Sequence, residues 1–100
     1  MDFHTKVVGV TFENRQRYIR RMSEGEYVTL ERDPMNPYDP NAIKVVNKAG
    51  YQIGYISREL AEKIAYRMDS GVRYTAGVIG ITGNNPGERL GVNLLVHCDD

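Results

Sequence analysis

The sequence predicts a mainly β domain with two short helices, its six strands curled into a small barrel. Three observations carry that reading. Six short runs are rich in β-branched and aromatic residues or alternate apolar and polar side chains with a period of two. Only two segments carry helical spacing, and both are short. The 100 residues suit one domain, residues 1–100, and a 41% hydrophobic share supplies a core without covalent staples. Closure is how short antiparallel strands remove their edges, which favours a barrel; an open α+β sandwich is the alternative.

The first strand is expected over Lys6–Phe12 (KVVGVTF), with Gly9 marking a bulge or close approach. Asn14 is a candidate N-cap for a helix over RQRYIRRM, which Ser23, Glu24 and Gly25 close. Glu26–Arg32 alternates, with Val28 and Leu30 on one face, and reads as the second strand. The nine residues DPMNPYDPN (33–41) hold three prolines, two aspartates and two asparagines, which forbid a regular ladder or helix. Ala42–Asn47 and Tyr51–Ile56 form a hairpin around Lys48-Ala49-Gly50. Ser57 caps a second helix, in which Leu60, Ile64 and Met68 fall at i, i+4 and i+8 beside Ala61 and Ala65, until Gly71 ends it. Val72–Ile81 and Leu90–Cys98 are the last strands, joined by the turn cluster Gly83-Asn84-Asn85-Pro86-Gly87.

Composition excludes several classes of function. Thirteen basic and thirteen acidic side chains cancel, so the field of the whole molecule cannot draw in a polyanion and any nucleic-acid contact is local. The single cysteine, Cys98, forms no internal disulfide and no zinc knuckle, which fits a reducing, cytoplasmic setting. No 18-residue apolar run is present, so no membrane partner is expected. His97 and Cys98 are neighbours on a strand and point to opposite faces, and His4 lies at the other end of the chain, so no nucleophile–base pair suggests itself. No phosphate loop, nucleophile elbow or zinc-protease string occurs. The expectation is therefore a non-enzyme without metal or cofactor. Asp33, Asn36, Asp39 and Asn41 bring oxygen ligands close together, as calcium would need, but counted from Asp39 the sixth position is Lys44 and the twelfth Gly50, which an EF-hand loop does not permit.

A binding role for the 33–41 loop fits the residues better. Tyr38 is a large flat side chain held between proline, aspartate and asparagine, which makes a preorganised stacking platform for single-stranded nucleic acid. Phe12 could supply a second plate. Against this stands a plain connection, stiffened by proline, whose Asp and Asn satisfy turn amides.

The runs VVGVTF (7–12), RDPMNPYDPNAIKV (32–45) and QIGYISRELAEKIA (52–65) resemble the HIRAN domain, over nearly the whole chain. This module occurs alone in bacteria and fused to helicase-like ATPases of replication-fork repair in eukaryotes; the likeness is to the stand-alone, bacterial type. The resemblance implies an OB-like barrel that binds the 3′ end of single-stranded DNA. It places Tyr38 and Phe12 where terminal bases are sandwiched and Asp39 at the terminal 3′-hydroxyl. Asn41 would shape the loop, and Arg58 with the amides opening the second helix would hold a backbone phosphate, next to a hydroxyl contact from Tyr55. Lys44 falls in the motif and is equally a solvated strand lysine.

Three positions depart from the family pattern. Thr11 stands where the fused eukaryotic members carry a basic residue, Tyr55 replaces a histidine, and Ile81 lies where an aromatic is expected. A shallower salt dependence should follow. Arg17, Arg20 and Arg21, spaced three and four apart, are expected to share a helix face that either is simply solvated or guides the strand or a duplex beyond the bound end. The leading expectation is a 3′-end-binding module in repair or fork processing. Its alternative is a protein-interaction module that docks a helicase or nuclease partner.

Overall fold

The computed structural model describes residues 1–83 and 85–99; Asn84, in the expected last turn cluster, lies outside the described residues. The elements are β1 (Asp2–Lys6), α1 (Arg15–Ile19), β2 (Tyr27–Arg32), β3 (Ile43–Val46), β4 (Gln52–Tyr55), α2 (Arg58–Asp69), β5 (Tyr74–Thr82) and β6 (Gly91–Cys98). Alternation sets which way the strands face. β2 buries Val28 and Leu30, β3 buries Ile43 and Val45, and β6 buries Val92, Leu94, Val96 and Cys98.

The six strands form one antiparallel sheet in the order β1-β6-β5-β2-β3-β4. The register shifts between Val78 and Gly80 of β5 and between Val45 and Val46 of β3, and such irregularities bend a sheet. The curl brings the chain beyond β1 back to β4. Val8 and Tyr55 exchange two backbone hydrogen bonds of 2.9 Å, and the Val7 amide donates to the Val92 carbonyl at 2.9 Å. That seam draws the sheet into a small OB-like barrel and sets aside the open sandwich. Gly54 permits it, since a Cβ there would overlap the Val8 carbonyl oxygen and lie 2.5 Å from Val7 Cγ1.

The first strand is a correction. The expected run Lys6–Phe12 is divided: β1 is the polar segment Asp2–Lys6, which pairs with β6 from Asp2↔His97 to Lys6↔Asn93. Gly9 then turns the chain away from the sheet at φ +71°. Partner pairing with the long apolar β6 outweighs the local β propensity of VVGVTF.

The first helix is shorter than expected, and Asn14 is no side-chain cap. It sits in the left-handed region, φ 62° and ψ 21°, without a capping hydrogen bond. Glu13 shares that conformation at φ 54°. The chain leaves α1 through tight turns, the Arg21 amide reaching the Tyr18 carbonyl at 3.2 Å and Met22 reaching Ile19 at 2.9 Å.

The second helix follows expectation. Ser57 Oγ accepts from the Leu60 amide at 3.3 Å. At its far end Gly71, φ +99°, lets the Val72 amide reach the Arg67 carbonyl (2.9 Å) and its own amide reach Met68 (3.0 Å). Ala61, Ile64 and Ala65 are buried against the barrel, with Leu60 and Met68 at the rim of the core. Ile19, Ile53 and the inward residues of β3, β5 and β6 fill the centre.

Candidate nucleic-acid interface

The 33–41 loop is built around Asn36. Its Oδ1 accepts from the amides of Tyr38 (2.9 Å) and Asp39 (3.1 Å), and its Nδ2 donates to Asp33 Oδ2 (3.1 Å) and the Tyr55 hydroxyl (3.3 Å). Asp39 Oδ1 accepts from the Asn41 amide at 2.9 Å. Arg32 clasps the loop's exit, donating to the carbonyls of Ala42 (2.7 Å) and Pro40 (3.0 Å). The same guanidinium pairs with both carboxylate oxygens of Asp69, at 2.9 and 3.2 Å, on the last turn of α2. That hydrogen bond holds the Asp69 carboxyl below the usual carboxylate range. On this frame Tyr38 stands 85% exposed.

Across from the loop, Phe12 follows the Gly9 turn and is 66% exposed. The two left-handed residues after it, Glu13 and Asn14, turn the chain into α1. Between Phe12 and Tyr38 lies a cleft of about 600 Å³ whose floor includes Val8, Ala42 and Ile56. Asp39, Tyr55 and Arg58 complete its walls. Arg58 opens α2, its Nε 3.9 Å from Asp39 Oδ2 and its Nη2 donating to the Tyr38 carbonyl at 3.4 Å. One open, mostly apolar slot thus joins two exposed rings, the half-buried Asp39 carboxylate and the exposed Arg58 guanidinium beside it.

Phe12, Tyr38, Asp39, Tyr55 and Arg58 all line this one cleft. Asn41 and Lys44 do not line the cleft. Asn41 acts through its amide on Asp39, and Lys44 stands on the outward face of β3, opposite both Tyr55 and Glu31. The arginine trio is a correction: Arg17 and Arg21 line one hollow, whereas Arg20 lines another with Ile81 and the turn after β5. Arg20, the C-cap, is still helical, its amide on the Gln16 carbonyl at 2.9 Å, and the chain tightens from Arg21 on into turns that reach back only three residues. Of the other departures from the family pattern, Thr11 lies exposed in the turn beside Phe12, and Ile81 is not part of the cleft.

Arg15 is the residue that sequence reasoning missed. It is 4% exposed, donates from Nη1 to the Gly9 carbonyl at 2.8 Å, and lies 5.3 Å from the centre of the Tyr55 ring. Glu13 stands 3.5 Å from its Nη2. Arg15 thus fixes both the turn that presents Phe12 and the ring in the cleft wall. Only its place in an arginine-rich run marked it. Among the described residues no cluster of three His, Cys, Asp or Glu side chains could hold a metal. No helix there is long and apolar enough to cross a membrane.

Comparison with known proteins gives concordant results. The HIRAN domain family model matches residues 1–99. Human helicase-like transcription factor is 43% identical over 79 residues, 79% of this chain, which spans about 7% of that protein's length. The NMR structure of the HLTF HIRAN domain in its DNA-bound conformation superposes with a TM-score of 0.71 at 33% identity, over 97% of this chain and 73% of that one. The crystal structure of a protein from Lactobacillus plantarum gives a TM-score of 0.76 at 26% identity, over 96% of this chain and 97% of that one.

Proposed function

As the chain belongs to the HIRAN domain family, we propose that it is a non-catalytic DNA-binding module that takes the 3′-hydroxyl end of a single strand. The observation that carries the proposal is the cleft between Phe12 and Tyr38, with Asp39 in its wall. Support comes also from the relative solved in a DNA-bound conformation. The last bases slot between the two rings, where stacking contributes about 1–3 kcal/mol per base whatever the base. Asp39 accepts a hydrogen bond from a terminal hydroxyl and repels a terminal phosphate, so one carboxylate both recognises a free end and rejects a blocked one. Arg58, which lines the cleft at the start of α2, serves the adjoining phosphodiester. Base edges are not read, so sequence preference is slight.

In a cell, such a module would address a helicase or nuclease to DNA ends in repair or fork processing. Fluorescence anisotropy at low salt with a short labelled strand ending in 3′-hydroxyl or 3′-phosphate tests the reading. Tight binding of the hydroxyl form alone is expected. Equal binding of both removes Asp39's role, and no binding of either turns the cleft over to a protein partner.

A further inference from the structure

A second hollow, of about 260 Å³, lies between the end of α1 and the β3–β4 turn, lined by Arg17, Arg21, Lys48, Tyr18 and Tyr51 among others. Tyr18 and Tyr51 stack at 4.3 Å with their planes 8° apart, and the Arg17 guanidinium lies 5.5 Å from the Tyr18 ring centre. Tyr51 stays 50% exposed. Of the three cations only Lys48 has a carboxylate partner among the described residues, Glu26 at 3.7 Å. Two guanidiniums without a carboxylate partner, a lysine shared with Glu26, which also lines the hollow, and the half-exposed Tyr51 ring leave an excess of positive charge beside a flat wall. That chemistry suits a phosphodiester strand carrying bases.

Position ties the hollow to the cleft. Arg15 and Tyr55 line the cleft; Arg17, further along α1, Arg21, just beyond it, and Tyr51, just before β4, line the hollow. Tyr51 and Tyr55 are about 13 Å apart along extended chain. Phe12 and Tyr38 engage only the last base or two, whereas an OB fold occupies about four nucleotides or more. The strand behind the end needs a track.

We propose that the Arg17–Arg21–Lys48 hollow holds the phosphates of the strand on the 5′ side of the end seated in the cleft, with Tyr51 as a stacking surface. The inference rests on the end-binding reading, and Arg20 has no part in it. The test uses a trinucleotide with a 3′-hydroxyl, followed by NMR titration, and 12-nucleotide strands ending in 3′-hydroxyl or 3′-phosphate, followed by anisotropy. In Arg17→Gln/Arg21→Gln the hydroxyl 12-mer should bind roughly 10- to 30-fold more weakly at 0.1 M salt, its log–log salt slope shallower by about 1.4.

The trinucleotide should bind variant and wild type alike. Both arginines are exposed, so the variant should keep the thermal midpoint of the wild type. An unchanged 12-mer affinity, or an equal loss on the trinucleotide, overturns the proposal. End recognition fails separately, if wild type binds both 12-mers equally; the phosphate track then stands if the variant weakens both. If wild type binds neither 12-mer, both readings fall.

Discussion

Asn36 commits both atoms of its amide group to the loop that carries Tyr38, while the Tyr38 ring is almost free of the protein. The two residues should therefore separate under mutation. Tyr38→Ala should leave stability within about 0.5 kcal/mol of wild type, yet weaken strand binding by about 1–3 kcal/mol. Asn36→Ala strips partners from two amides and two side chains, so urea denaturation should show a loss of about 1–3 kcal/mol, with binding reduced as well. A stable Asn36→Ala protein would mean that the prolines alone hold the loop. Gly54 is the third decisive position. A methyl group there collides with the Val8 carbonyl at the barrel seam, so Gly54→Ala should cost about 1–3 kcal/mol in the same denaturation.

Elements differ in how far they can be read from sequence. α2 was legible because its signals are local: Ser57 before it, Ile64 and the alanines along it, Gly71 after it. The β3–β4 turn was legible too, since Asn47 Oδ1 accepts from Ala49 (3.0 Å) and Tyr51 (2.9 Å) and Gly50 takes φ +92°. β1 was not, because DFHTK has no pattern of its own and is a strand only where β6 pairs with it. Within the site the loop and its tyrosine were visible in DPMNPYDPN, whereas Arg15 is buried by contacts with Gly9 and Tyr55 that only the folded chain creates.

Pairing of β1 with β6 also sets a pH dependence. His97 lies opposite Asp2, hydrogen-bonds to its carboxylate through Nδ1, and bonds to Asp99 through Nε2 at 2.9 Å. The Asp2 bond first, then that of Asp99, raises the imidazole above its usual 6.5, while the His97 bond holds the Asp2 carboxyl below its usual 3.8. A raised histidine stabilises the fold fully below its ordinary value and loses that contribution as pH rises through the folded value. A lowered aspartate stabilises above its ordinary value and loses that contribution as pH falls through the folded one. The staple should therefore be strongest between the two ordinary values, above 3.8 and below 6.5. NMR titration should find the His97 imidazole higher than in Asp2→Asn, and His97→Gln should remove the alkaline limb of stability against pH. Equal titration in both proteins would show the pair to be solvated apart.

The whole molecule has no net charge, so its long-range field neither gathers nor orients a polyanion. Binding must then be decided by local contacts, and for the end itself these lie in the cleft, where stacking is insensitive to salt and Arg58 is the exposed cation. Arg15 is buried and already occupied by Gly9, Glu13 and the Tyr55 ring. A trinucleotide that fills only the cleft thus meets one or two phosphate contacts, and each contributes a log–log salt slope of about −0.7 for a single strand. Its expected slope is about −0.7 to −1.4, shallow enough for binding to persist as salt rises from 50 to 200 mM. Association should proceed at an unsteered rate, about 10⁵–10⁷ M⁻¹s⁻¹, and change little with salt. Stopped-flow and equilibrium titrations over that salt range measure both. A slope at the two-phosphate limit of about −1.4 together with an unchanged trinucleotide affinity in Tyr38→Ala would place its binding energy in phosphate contacts rather than stacked bases, and the two aromatic plates would lose their part in holding the end.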